Sequence, residues 1–331
     1  ANYCLRTALR VLIPIDSYKI HTADDLYQRG RNFKWEELFG LKQTFAVQST
    51  VFSDLFNNSM YASLKLKDAI ADRFRYKFGE RPNVDSADPD VLINLHISNG
   101  VCTISLDSSG ESLHKRGYRV GQNEAPINEV LAAGLLRLSE WDRKSALIDP
   151  MCGSGTIAIE AAMLANGIYP GAVRESFGFM NWLDFNPQLF KQVEEEANEQ
   201  TPNPVKISAS DISRRNIEIA SKNAEEAGVS HLIDFKVADF KLLEPAAEKP
   251  FLLFNPPYGE RISGDDTNFY TMIGDRLKQH YTDATVWIIS TPECLKSIGL
   301  RPSRKMPLLN GSLECSFRKY ELYSGSKKPQ K

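Results

Sequence analysis

The chain has 331 residues, of which 42% are hydrophobic and 25% charged, and its formal net charge is −2. That length favours two domains, and that composition is an ordinary globular one, which excludes a fibrous or wholly disordered chain. No apolar run approaches the ~18 residues of a membrane span, and Cys4, Cys102, Cys152, Cys294 and Cys315 form no C-x-x-C pair; the expectation is a cytoplasmic protein with no membrane, zinc site or disulfide framework.

The elements of the first ~120 residues mix strands and helices. Arg10 to Ile15 reads as a strand, Thr22 to Arg29 as a short helix with a Thr cap and an acidic first turn, and Thr44 to Phe52 as a β-branched, aromatic strand. Asn58 to Phe78 carries Tyr61, Leu64, Ala69, Ile70 and Phe74 at helical spacing and stops at Gly79, with Pro82 beyond. Val91–Ile97 and Val101–Leu106 alternate around Asn99-Gly100, a two-residue hairpin signal. On the long helix Lys65, Lys67, Arg73, Arg75, Lys77 and Arg81 outnumber Asp68, Asp72 and Glu80. By charge alone this is a solvated helix face, because residues 1–120 hold 16 Lys+Arg against 14 Asp+Glu and lack a strongly basic footprint.

From about Ala125 the pattern changes to helices alternating with short apolar strands, which predicts a doubly wound α/β sheet. After a helix at Ile127–Ser139, strands are expected at Leu147-Ile148, Val205–Ser208, Ile233–Val237, Phe251–Phe254 and Thr285–Ile289. Helices are expected between them at Thr156–Asn166, Arg214–Ala227 and Asn268–Tyr281. Leu308 to Tyr323, broken at Asn310-Gly311, reads as a closing antiparallel hairpin. Gly167 to Pro204 is an insertion carrying Phe177, Phe179, Trp182 and Phe185, and the tail Ser324–Lys331 reads as disordered. The domains are expected at 1–110 and 126–323, with a linker at 111–125.

Asp149-Pro150-Met151-Cys152-Gly153-Ser154-Gly155-Thr156 follows a strand and opens a helix, where glycines let a ligand approach backbone and free helix N–H groups suit an anion. A relaxed dinucleotide pattern also fits these glycines, and spacing alone does not choose, since the next-strand acid, Asp211, is displaced by the insertion. The acid at the loop's entry favours S-adenosylmethionine, with Asp149 pairing an ammonium and Asp211 accepting from ribose hydroxyls. Asp239 either bonds the adenine amine or merely caps a turn, and Phe240 or Ile212 packs on the ring. Cys152 reads as a small packing residue of this loop.

Asn255-Pro256-Pro257-Tyr258 follows the apolar strand Phe251–Phe254 and is the most specific signal in the chain. Two prolines pre-organise a rigid turn. An exocyclic amine of a nucleobase is a poor nucleophile, because its lone pair is delocalised into the ring. Two acceptors, the Asn255 side-chain oxygen and the Pro256 carbonyl, would bond its N–H groups and aim that lone pair, and Tyr258 would stack on the base. The target base must then leave its stack or come from a single strand. Gly259, Glu260 and Arg261 read as the rim, with Arg261 either a phosphate contact or a plain surface charge.

These two motifs resemble the amino-methyltransferase branch of Rossmann-like methyltransferases. Asp88-Pro89-Asp90-Val91, Ser105 to Gly110, Ser112 to Arg119 and Lys65 to Ile70 resemble a THUMP domain and its linker; Ala125-Pro126-Ile127-Asn128-Glu129 and Gly178 to Trp182 are similar to further motifs of the THUMP-domain RNA methyltransferases. The likeness covers nearly the whole chain and is closest to the large-subunit rRNA guanine-N2 methyltransferases. It implies an α+β RNA-binding region over residues 1–110, with Lys65, Lys67, Arg73, Arg116, Arg119 and Arg261 as RNA contacts. It also implies a ribosomal RNA or assembly-intermediate partner and no metal. Transfer RNA guanine-N2 methylation, and DNA adenine or cytosine amino-methylation, are the alternatives. The start at Ala1, inside the family's ferredoxin-like region, leads to the expectation that part of that module lies outside this sequence, and the single catalytic domain to an expectation of one activity.

Overall fold

The computed structural model describes residues 1–56, 58–121, 126–199, 203, 205–245, 247–258 and 266–323. Ala125, Gly259, Glu260, Arg261 and the tail from Ser324 lie outside the described residues. The chain divides into two units, one of residues 1–2, 8–113 and 175–195, the other of residues 3–7, 114–174 and 196–331.

The first unit is a four-stranded sheet with two helices. Its elements are β1 (Leu12–Lys19), α1 (Ala23–Asn32), β2 (Phe45–Phe52), α2 (Ser59–Phe78), β3 (Val91–Ser98) and β4 (Val101–Asp107), and the sheet order is β1-β4-β3-β2. Local chemistry sets the boundaries. Thr22 and Asp25 form a reciprocal capping box on α1, Asn58 caps α2, and Gly79 ends α2 at φ 79°, a conformation open to a residue without Cβ. Asn99 and Gly100 both take positive φ, the turn that matches the twist of the β3–β4 hairpin. A core of Leu26, Trp35, Phe39, Phe45, Leu66 and Phe74 lies between helices and sheet. Gly30 of α1 permits close approach to α2, since a Cβ there would sit 2.7 Å from Leu66 Cδ1.

The insertion behaves differently from its expected place in the second domain. Residues 175–195 cluster with the first unit, where Gly178 and Gly110 meet backbone to backbone. A Cβ on Gly178 would lie 2.7 Å from Gly110 N, and Phe179 N donates to Ser108 O. Helix α5 (Pro187–Asn198), not foreseen in the sequence, follows from this segment.

The second unit holds α3 (Glu129–Leu138), β5 (Leu147–Asp149), α4 (Thr156–Ala165), β6 (Ile207–Asp211), α6 (Arg214–Glu226), β7 (Ile233–Val237), β8 (Phe251–Phe254), α7 (Asp266–His280), β9 (Thr285–Ser290), β10 (Arg304–Asn310) and β11 (Leu313–Glu321). The seven strands run in the order β10-β11-β9-β8-β5-β6-β7. β5 to β9 are parallel, and β11 and β10 close the sheet antiparallel. The order reverses beside β5, which pairs with both β6 and β8, and this is where an open α/β sheet leaves a crevice at its carboxyl edge. β6 begins two residues later than expected and runs on through Asp211.

Residues 3–7 form a strap in this second unit. Gly171 N donates to Tyr3 O, and a Cβ on Gly171 would lie 2.4 Å from the Tyr3 ring. Arg6 donates to the carbonyls of Met163 and Ile168, and its own carbonyl accepts from Arg116. Arg116 in turn pairs at 3.2 Å with Glu160 of α4; the two side chains are 1% and 0% exposed. Among the described residues no helix is long and apolar enough to cross a membrane.

Candidate active site

β5 delivers Asp149 to the crevice, and the chain then turns through Pro150 to Gly155 into α4. Gly153 (φ 54°) and Gly155 (φ 83°) are both left-handed, and a Cβ on Gly155 would meet Ala220 of α6 at 2.9 Å, so this tight turn excludes a side chain. Backbone bonds shape it further, from Gly155 N to Cys152 O and from Cys152 N to Ser210 O at the end of β6. Asp211 completes the loop. One carboxylate oxygen accepts from Gly153 N at 3.0 Å, and the other from Ser213 N and from Asn216 Nδ2 at 3.1 Å.

A cavity of about 320 Å³ opens over this edge. Asp149, Pro150, Cys152, Gly153, Ser154, Thr156, Asp211, Ile212, Asp239, Phe240, Asn255 and Pro257 all line it. Pro126 and Ile127, ahead of α3, add to its wall, as do Met151, Asn216 and the α7 pair Phe269 and Met272. Such a volume suits a small ligand. Asp239 has the local duty foreseen as its alternative, capping a short turn by accepting from Lys241 N, while also lining the cavity. Phe240 is buried between Phe254 and Tyr281, whereas Ile212 is exposed.

Two acceptors of cavity-lining residues stand out because nothing among the described residues satisfies them. Asp149 is 1% exposed and its Oδ1 has no hydrogen-bond partner; burial, and beyond it the charge of Asp211, push its carboxyl well above the usual aspartate range. The side-chain oxygen of Asn255 is likewise buried and unpartnered. Buried polar atoms are nearly always paired, so two residues that line one cavity and each hold an unpartnered acceptor are the pattern expected where donors of a ligand and a substrate arrive. Burial drives the Cys152 thiol far above its ordinary pKa, which leaves it a packing residue and no thiolate nucleophile.

Several expectations are corrected. Tyr258 does not offer a face to a base. It is 5% exposed, belongs to the hydrophobic core, and its hydroxyl accepts from Asn310 Nδ2 at 2.7 Å. Pro256 and Gly155 do not themselves line the cavity, although the Pro256 carbonyl belongs to the peptide bond with Pro257, which does. Arg116 is sealed against Glu160 and is out of reach of RNA. Arg119 is engaged inside the unit as well, donating to Glu129 at 2.8 Å, to Ser154 Oγ at 3.1 Å, to Thr156 Oγ1 at 3.0 Å and to the Ile127 carbonyl. Its fork thereby ties the glycine loop to the Pro126-Ile127 wall. In the first unit Lys65 pairs with Asp24 and lies over Tyr27, Lys67 pairs with Asp68, and Arg73 with Glu36. Asn216, Phe269 and Met272 carry no motif. Only their position one turn after Asp211, or at i,i+3 on α7, could have marked them, and that spacing equally describes core.

A parallel sheet with a glycine turn after its first strand, and an asparagine-diproline turn after the strand on its other side, defines the Rossmann-like methyltransferase class. Residues 116–319 match the family model described as RMKL-like, methyltransferase domain, and residues 21–107 match that of the THUMP domain. The chain belongs to the RMKL-like methyltransferase family. It is 39% identical over 330 residues to the ribosomal RNA large subunit methyltransferase K/L of Shewanella baltica, covering 97% of this chain and 46% of that one. The chain thus spans about half the length of the K/L relatives it matches. A Synechocystis sp. protein provisionally named as an RNA methyltransferase is 38% identical, covering 97% of this chain and 85% of its own. Among solved structures, SMU.472, provisionally named a methyltransferase and crystallised with SAH, superposes with a TM-score of 0.86 at 29% identity, covering 99% of this chain and 87% of that one.

Proposed function

We propose that this chain transfers a methyl group from S-adenosylmethionine to an exocyclic amino group of RNA, guanine N2 of large-subunit ribosomal RNA, in the cytoplasm. The observation that carries the reading is the pair of buried, unpartnered acceptors, Asp149 Oδ1 and Asn255 Oδ1, at one cavity. The residues fit the donor. Asp149 would take its ammonium, the free N–H groups at the start of α4 its carboxylate, and the remaining lone pair of Asp211 a ribose hydroxyl, with Ile212 and Phe240 beside the adenine. When bound, S-adenosylmethionine supplies an electrophilic methyl group.

The chain's own contribution is placement. Asn255 Oδ1 and the Pro256 carbonyl accept the two N–H groups of the amine, which draws its lone pair out of the ring and turns it toward the cofactor side of the cavity. In the transfer the N–C bond would form as the methyl–sulfur bond breaks, leaving S-adenosylhomocysteine with the electron pair on sulfur, and the amine would release one proton to solvent. No covalent intermediate with the protein is involved, in keeping with the suppressed thiol of Cys152. The RNA substrate is supported by the THUMP match and by the names of the K/L relatives.

The test is transfer of labelled methyl from S-adenosylmethionine to separated rRNA, tRNA and DNA, with nucleoside analysis. N2-methylguanosine in unmodified large-subunit rRNA is the expected product. Product in tRNA alone would move the substrate, methylated DNA bases would overturn the RNA reading, and transfer to none of the three would overturn the activity.

A further inference from the structure

The turn that carries Asn255 has no backbone donor at its two central residues. Pro256 and Pro257 have no N–H, so these two residues can be pinned only through their carbonyl oxygens and their packing. The Pro257 carbonyl accepts a 3.1 Å hydrogen bond from the hydroxyl of Tyr270 on α7. That hydroxyl also lies 2.6 Å from Ser290 Oγ at the end of β9, and both residues are fully buried. Proton counting sets the direction. A carbonyl only accepts and Tyr270 has one proton, so that proton goes to Pro257, and Ser290 donates to Tyr270. Burial raises the tyrosine pKa far above its ordinary value, which keeps the donor in place through the neutral range. On the far side of the turn Asn310 holds the Tyr258 hydroxyl.

We propose that Tyr270, backed by Ser290, is a positioning residue for the methyl transfer. It fixes the peptide plane after Pro257, and through it the spacing of the Asn255 oxygen and the Pro256 carbonyl about the substrate amine. The proposal rests on the amino-methyltransfer reading above. Tyr270 does not line the cavity, so its effect passes through the turn. A small misplacement of paired acceptors weakens an oriented attack far more than it weakens binding.

The test uses the full chain carrying Tyr270→Phe, Ser290→Ala or both. Four quantities are compared with wild type: kcat, RNA KM, cofactor Kd and hydrogen exchange at the Tyr258 amide. Tyr270→Phe keeps the ring and its packing and removes one donor. The expected result is a roughly tenfold loss of kcat, with RNA KM and cofactor Kd within about twofold and faster exchange at Tyr258. Ser290→Ala gives a smaller loss of the same kind, and the double variant is no worse than Tyr270→Phe, because the two act as one relay. Wild-type kcat in Tyr270→Phe, or a matching loss of cofactor affinity, overturns the proposal. Should wild type itself transfer no methyl group, the activity reading fails. The tie to the turn then stands or falls on exchange, and an unchanged Tyr258 amide in Tyr270→Phe overturns it.

Discussion

In the first unit the cations that sequence marks as RNA contacts are already answered: Lys65 by Asp24, Lys67 by Asp68, Arg73 by Glu36. In the second unit the reverse holds at the cavity, where Asp149 Oδ1 and Asn255 Oδ1 are buried and unanswered. A surface cation that finds a neighbouring acid gives up little, because water and salt screen the pair. A buried acceptor without a donor is a standing cost of about 1–3 kcal/mol; others occur in the fold, as at Glu160 Oε2 and Ser210 Oγ, but those of Asp149 and Asn255 belong to residues that line one cavity. Open acceptors that converge on one cavity therefore locate a chemical site more sharply than exposed charge locates a binding face.

The largest effect should come from a buried pair that is closed. Arg116→Met takes from buried Glu160 its paired cation, leaving the 3.4 Å contact from the Tyr118 hydroxyl, and is expected to remove about 3–5 kcal/mol of stability, read as a lower denaturant midpoint at unchanged slope. Near-wild-type stability would show that buried charge in this unit needs no partner, and the contrast would lose its force.

Asn255→Ala is next. It should lower kcat by about 10²–10³-fold and leave cofactor affinity nearly unchanged, since that oxygen serves the substrate. Equal losses in kcat and cofactor affinity, measured by single turnover and calorimetry, would move Asn255 to the cofactor side.

Asp149 makes the comparison pH-dependent. Its folded-state carboxyl is raised, so the folded protein holds that proton more firmly than the unfolded chain does. The contribution to stability is thus full below the ordinary aspartate pKa and lost as pH rises through the raised value. Asp149→Asn should therefore be about 1–3 kcal/mol more stable than wild type at neutral pH without cofactor, yet gain less on adding S-adenosylmethionine. Thermal melts with and without the cofactor decide this, and a variant less stable than wild type in its absence would refute it.

The smallest effect belongs to the first unit. Lys67→Ala should stay within about 0.5 kcal/mol in stability, and RNA affinity should change by about twofold, because its ammonium already sits 2.9 Å from Asp68. A tenfold loss of RNA binding in a filter assay would mean that RNA displaces the acid, which would narrow the difference between the units.

What could be read in the sequence followed from how local its cause was. The Thr22 cap, the Gly79 stop, the Asn99-Gly100 turn and the glycine loop each depend on residues within a few positions, and each is present in the structure. β6 runs three residues past its expected end at Ser208 because Ser210 and Asp211 have weak strand preference, and the strand is set by its neighbours β5 and β7. Arg116, an RNA contact by the family resemblance, is a core residue instead, and the sequence does not reveal this because its partner Glu160 lies 44 residues further on. Tyr258 looked like a stacking platform for the same reason, because the hairpin residue Asn310 that ties it down is 52 positions away. The insertion's allegiance to the first unit depends on two glycines, Gly110 and Gly178, meeting across a gap no local pattern reveals.

The strap of residues 3–7 bears on how such a chain can change over evolutionary time. With Arg6 and Tyr3 built into the second unit while residues 8–113 form the first, a single crossover near residue 113 that swapped in another RNA-binding module would also strip the catalytic unit of Arg6. The backbone carbonyl that now receives Arg116 would leave with it. Exchange of the first module by one cut would thus cost the second unit contacts that lie outside its continuous sequence.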